Sequence, residues 1–298
     1  MIVIKVMGGL GNQLQQYALY RKMQMLGKDA KLDLSWFEER NQEQVLAQRK
    51  LELRYFKDLS MEVCTKRERE LLMGGEGLRG KLKRKLMPQS IHLFRENDMY
   101  HPEIFEFSDK YLEGFWACEK YYADILPELR KEIVFPNDNS EINNQIIQKI
   151  KGEVSVSLHV RRGDYLDPEN AALFGGICTE AYYEAAVQYI RKRCPGAHFY
   201  VFSDDSAYVK EKYRGSDYTV VDWNTGEHSF WDIQLMSCCK HNICANSTFS
   251  FWGARLNPNP DKIMIRPAKH KNSQQADIGQ MHRLWEGWTI VDERGKVD

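Results

Sequence analysis

The chain has 298 residues, 43% of them hydrophobic, and sets 42 Lys plus Arg against 42 Asp plus Glu. That length buries a substantial core and suits two domains of ordinary size. The even charge excludes the basic surplus by which a whole protein neutralises a nucleic-acid backbone, so an anion has to be met by a local group of donors.

The opening Met1-Ile2-Val3-Ile4-Lys5-Val6 is too short for the apolar core of a signal peptide, and no later run approaches a membrane span. The seven Cys are odd in number and form no CxxC pair. These features predict a soluble, cytoplasmic chain with reduced, partly buried thiols. Going along the chain, β-branched or aromatic runs predict strands at 2–6, 31–34, 91–94, 111–116, 154–160, 199–203, 218–222, 242–245 and 262–265. Helical patterns predict helices over 12–26, 119–131, 179–193, 229–240 and 247–256. Their alternation predicts parallel α/β layers. The polar stretch 136–140 is the best linker, dividing an N-terminal domain, 1–145, from a C-terminal domain, 146–298. The basic run 81–85 reads first as a solvated face and second as a peripheral contact with anionic lipid.

Four motifs carry candidate chemistry. Gly8-Gly9-Leu10-Gly11-Asn12-Gln13 joins a strand to a helix, where Gly9 and Gly11 let backbone approach a ligand; a plain tight turn is an equal reading. The loop lacks the third glycine of a dinucleotide fingerprint, and Asp29 and Asp33 are the nearby acids that a ribose would need. His159-Val160-Arg161-Arg162-Gly163-Asp164-Tyr165 ends a strand, where open sheets bind ligands. Alternation along that strand lets one arginine face a ligand while its neighbour pairs with a carboxylate such as Asp164. Ser203-Asp204-Asp205 ends another strand and suits a metal, a guanine edge or a helix cap. Asn246-Ser247-Thr248-Phe249-Ser250 opens a hydroxyl-rich helix, a compact place for a diphosphate.

The chain has no Asp-x-Asp pair of the kind that holds a metal beside a nucleotide diphosphate, and Cys239, His241 and Cys244 read as packed side chains in preference to ligands. No metal and no cofactor are therefore expected. Departure of a nucleoside diphosphate would be stabilised by arginine and amide donors.

Taken together, the Gly8 to Ala18 opening, Glu113-Gly114-Phe115-Trp116 with Glu119-Lys120-Tyr121, the His159 to Tyr165 motif, Ser203-Asp204-Asp205, and Leu235-Met236-Ser237 through Lys240-His241-Asn242 into Asn246 to Ala254 resemble the bacterial α-1,2-fucosyltransferases of glycosyltransferase family eleven. The resemblance implies two facing Rossmann-like domains of the GT-B type, the N-terminal one holding a glycan acceptor and the C-terminal one GDP-fucose, and an inverting reaction without a divalent metal. It assigns His159 and Asp204 to guanosine, Arg161 to the β-phosphate, Ser247, Thr248 and Ser250 to further phosphate contacts, and Asn12 and Gln13 to the transferred fucose. The acceptor would be an oligosaccharide or a lipid-linked glycan, galactose-terminated. Asp164, Glu169 and His159 are the candidates for a base. The chain departs from the family at Gln15, where Phe is usual, and at Phe251 and Arg255, where Trp is frequent, which bears on the acceptor. Competing readings are a fucosyltransferase of α-1,6 regiochemistry, a non-catalytic sugar-binding module using the seven Trp and fifteen Tyr, and a nicotinamide enzyme built on the first glycine loop.

Overall fold

The computed structural model describes residues 1–298 except 39–48, 58, 76, 87–91, 98, 138 and 275, and omits the side chains of 77, 79, 81, 83 and 84. All named strands pair in parallel, in two sheets, one in each of two compact units, Met1–Val134 and Phe135–Asp298. The division falls earlier in the chain than 145/146, and residues around 136–140 belong to the second unit. There Ser140 caps a helix, its hydroxyl accepting from Asn143 N at 3.3 Å, and Asn139 donates to Gln234 at 2.7 Å. The polar composition read as a linker is capping and packing chemistry.

Unit 1 comprises β1 (Ile2–Lys5), α1 (Leu10–Met25), β2 (Ala30–Asp33), α2 (Lys66–Met73), α3 (Gly77–Leu86), β3 (Leu93–Arg95), β4 (Lys110–Glu113) and α4 (Leu126–Glu132), with sheet order β2-β1-β4-β3. The basic run lies on α3, and the side chains of Lys81, Lys83 and Arg84 are outside the described residues. Within 119–131 the predicted single helix is two 3-10 turns followed by α4, because Pro127 resets the backbone at the first turn of α4.

Unit 2 comprises α5 (Glu141–Gly152), β5 (Ser155–Val160), α6 (Pro168–Phe174), α7 (Glu180–Arg193), β6 (His198–Ser203), α8 (Ser206–Lys212), β7 (Tyr218–Val221), α9 (Phe230–Cys238), β8 (His241–Ile243), α10 (Thr248–Leu256), β9 (Met264–Pro267), α11 (Ile278–Leu284) and β10 (Trp288–Val291), with sheet order β10-β9-β8-β5-β6-β7. The period of two along a strand sorts the core. Phe199 and Val201 of β6 join Val156, Leu158 and Val160 of β5 against α7, whereas Tyr200 and Phe202 face α5 and α9. β5 is buried along its whole length, as a central parallel strand requires.

All seven cysteines carry free thiols; Cys239 and Cys244 are buried, donating to the carbonyls of Leu235 and Ser250. Among the described residues no helix is long and apolar enough to cross a membrane.

Candidate active site

The sheet of unit 2 changes direction between β5 and β8. From β5 the chain winds outward through β6 to β7, and from β8 it winds the other way through β9 to β10. Loops leaving two such neighbours part at the carboxyl ends of the strands and open a crevice for a ligand. The loop after β5 begins Arg161-Arg162-Gly163-Asp164-Tyr165, and the loop after β8 runs Cys244-Ala245-Asn246-Ser247 into α10. Two of the four motifs therefore flank the opening of this sheet.

Arg161 is fixed by two carboxylates. Its Nη2 donates to Asp164 Oδ2 at 2.7 Å, its Nη1 lies 3.1 Å from Asp204 Oδ2 at the end of β6, and its guanidinium lies 5.5 Å from the Tyr165 ring centre. The tight turn Asp164–Leu166 brings Asp164 back over Arg161 at a separation of three residues, so the acid predicted for the neighbouring arginine goes to Arg161 itself. Arg162 instead reaches Asp205 at 3.2 Å and stacks 3.8 Å over Tyr208. Asp204 also accepts from the Arg162 amide at 2.9 Å. Gly163 makes this approach feasible, since a Cβ there would lie 2.5 Å from Asp204 Oδ2. Glu169 is exposed on α6.

The two loops are joined. Tyr165 donates its hydroxyl proton to Asn246 O at 3.0 Å, and its ring stacks on Phe174 with centres 4.9 Å apart. Asn246, 1% exposed, donates to Phe174 O at 3.1 Å and His270 O at 3.2 Å, tying the ends of α6 and β9 to the same place. Beyond it α10 begins. Its N-cap residue, Ser247, makes no side-chain cap, so the helix N-terminal amides lack that acceptor. Thr248 opens the first turn, whereas Ser250 is buried and spends its proton on Ser247 O at 3.1 Å, which turns this hydroxyl inward.

His159, the last but one residue of β5, faces Phe249 of α10 with ring centres 5.9 Å apart. Burial and the Arg161 charge push its imidazole down to about 3, and its buried Nδ1 has no hydrogen-bond partner. The ring is thus held neutral and binds a proton weakly, which suits a hydrogen-bonding group more than a base. A fixed guanidinium, a helix N-terminus and a buried ring with an open nitrogen suit a ligand that is anionic at one end and heteroaromatic at the other. Among the described residues, no group of three His, Cys, Asp or Glu is arranged to hold a metal ion.

Residues 90–291 match the model of the family Glycosyl transferase family 11. The chain belongs to glycosyl transferase family 11. The chain is 38% identical over 160 residues to an alpha-1,2-colitosyltransferase of Escherichia coli, a match covering 52% of this chain and 53% of that one. It is 30% identical over 282 residues to the O-antigen biosynthesis glycosyltransferase WbnK of Escherichia coli, covering 88% and 92%. To the galactoside alpha-(1,2)-fucosyltransferase 1 of Ateles belzebuth it is 27% identical over 173 residues, covering 54% and 47%. The chain thus spans about half the length of the colitosyltransferase and of the galactoside fucosyltransferase.

Unit 2 has a further candidate that the sequence motifs did not reveal. Asp232, in the first turn of α9, receives a hydrogen bond from Asn224 at 2.8 Å, and burial pushes its carboxyl up to about 8. Asn224 in turn bonds Asn143, which also accepts from Trp223 at 2.6 Å. The signal was an acid among apolar residues, Phe230-Trp231-Asp232-Ile233. A shifted carboxyl at the carboxyl side of the sheet marks a functional candidate.

In unit 1 the glycine loop precedes α1 as predicted, with Gly9 at the N-cap and Gly11 buried in the first turn. Gln13 is fully buried and its amide saturated, donating to Gly8 O and Lys50 O and accepting from Glu52 N and Leu53 N. It latches the loop to the following segment. Asn12 is packed against Gly8, where a Cβ would lie 2.7 Å from Asn12 Nδ2. Asp33 accepts from Tyr111 at 2.6 Å, Ser35 N at 3.0 Å and Arg69 at 3.2 Å, a structural cluster in place of a ribose contact. Glu52 accepts from the Leu10 amide at the start of α1, and burial raises its carboxyl above the ordinary range.

Proposed function

We propose that this family 11 transferase moves L-fucose from GDP-fucose to the 2-hydroxyl of a galactose-terminated glycan, with inversion and without a metal ion. The carrying observation is Arg161, locked by Asp164 and Asp204 at the β5/β8 opening and joined through Tyr165 and Asn246 to the N-terminus of α10. A charge that is already oriented and partly shielded from water acts strongly where negative charge develops. In this reading the diphosphate lies between Arg161 and the amides and hydroxyls of Ser247 and Thr248. His159 and Asp204 contact the guanosine: Asp204, held beside His159 by Arg161 and the Arg162 amide, keeps lone pairs for guanine N1–H and its amine. The bond from the anomeric carbon to GDP breaks ahead of attack, GDP leaving with the electron pair, and the acceptor hydroxyl bonds to that carbon from the opposite face while its proton passes to a carboxylate or to solvent.

The α-1,2 linkage is favoured by the names of the colitosyl and galactoside fucosyl relatives. The higher identity to the colitosyltransferase favours nucleotide-activated colitose as a second donor reading. The test is incubation with GDP-fucose or the colitose donor, with and without EDTA, against galactose-terminated glycans, followed by linkage analysis. Transfer that survives EDTA and gives a 1,2-linked product supports the proposal. Absence of GDP binding in calorimetry, or activity lost to EDTA and restored by magnesium, defeats it.

A further inference from the structure

Where β4 ends, residues 114–116 hold a shape that tryptophan does not take unaided. Trp116 has φ 54, in the left-handed region. Four hydrogen bonds impose it: the amides of Phe115 and Trp116 both donate to Glu96 Oε2 at 2.7 Å, Gln15 donates to Phe115 O at 2.9 Å, and Gln16 donates to Gly114 O at 3.0 Å. Gly114 is required, because a Cβ there would lie 2.5 Å from the Cβ of Glu96. The outcome is a division of two aromatic neighbours. Trp116 is fully buried against Phe94 and Tyr121, while Phe115 stays 42% exposed.

The place is as telling as the strain. β1 and β4 pair in parallel, so the turn at the carboxyl end of β4 sits beside the glycine loop that leaves β1. Backbone held in a sparse region by so many bonds is typical of ligand sites. Nothing in core packing calls for a phenyl ring in water, but a ring fixed at its backbone presents a flat apolar face at little entropic cost. The C–H face of a pyranose fits that surface.

We infer that Phe115 is the stacking platform for the acceptor sugar, presented by the Gly114–Trp116 turn. This rests on the transferase reading above, and its test separates the two. Saturation-transfer NMR with a set of methyl β-galactosides reads acceptor binding without any donor. Phe115→Ala is expected to weaken that binding about tenfold, Phe115→Tyr to restore it, and the affinity for GDP and Tm to stay at parental values. In turnover with GDP-fucose, the acceptor KM of Phe115→Ala rises by the same factor while kcat holds. Galactoside binding that vanishes in Phe115→Ala, in a parent that does not transfer fucose, upholds the platform and removes the donor assignment. Equal binding by parent and Phe115→Ala, no galactoside binding by the parent, or a fall in Tm without a change in binding overturns the platform.

Discussion

The guanidinium of Arg161 spans from the end of β5 to the end of β6, where Nη1 lies 3.1 Å from Asp204 Oδ2. With Asp164 on its other nitrogen, the group is oriented before any ligand arrives. Arg161→Ala is expected to lower turnover about 100-fold or more, by analogy with loss of one oxyanion donor. Arg161→Lys keeps a charge but cannot hold both carboxylates in one plane, and is expected to recover only part of the loss. Steady-state kinetics with calorimetry of GDP checks both, and near-normal turnover in Arg161→Ala would remove the assigned role.

Gly163 allows the loop to pass against Asp204. A methyl group at 2.5 Å from Oδ2 must displace the carboxylate from Arg161 or from the Arg162 amide. Gly163→Ala is expected to reduce kcat/KM about 10- to 100-fold with little change in Tm, because small misplacements of a positioned charge are costly.

Asp232 sets a pH signature. Its carboxyl is pushed up to about 8 by burial, against about 3.9 in an unfolded chain. Between those values the folded chain keeps a proton that the unfolded chain has lost, so the contribution to stability falls as pH rises through about 4 to 8 and levels off above. Asp232→Asn is expected to remove that decline in urea unfolding followed across pH.

Asn246 closes the floor of the site. Asn246→Ala strips the donors from two carbonyls, Phe174 O and His270 O, around a 1% exposed side chain. The expected loss is about 2–4 kcal/mol of stability, measured by urea unfolding, together with weaker GDP binding.

The legible parts of the fold were those where local chemistry and burial agree. β5 could be read from Val154 to Val160 because Val154, Val156, Leu158 and Val160 recur at every second position, and α7 could be read from Thr179 because its hydroxyl caps the helix, accepting from Tyr182 N. β10 was not foreseen: Trp288–Val291 follows Gly287 too soon after α11 to stand out as a separate run. In the site, the loops after β5 and β8 were legible from charge and hydroxyl content. The joining of Tyr165 to Asn246 was not, since it spans 81 residues. Gln13 misled for a physical reason: a polar residue beside a glycine loop reads as a ligand contact, and only the fold shows its amide turned onto backbone on every side.

The tie between Tyr165 and Asn246 also governs how the site is used. Loops that face a substrate are commonly free until it binds, and then each catalytic cycle must immobilise them again. Here the lips of the crevice are fastened to each other and to the ends of α6 and β9, so that loss of freedom is incurred once, during folding. A ligand entering between these loops would meet walls that are already set.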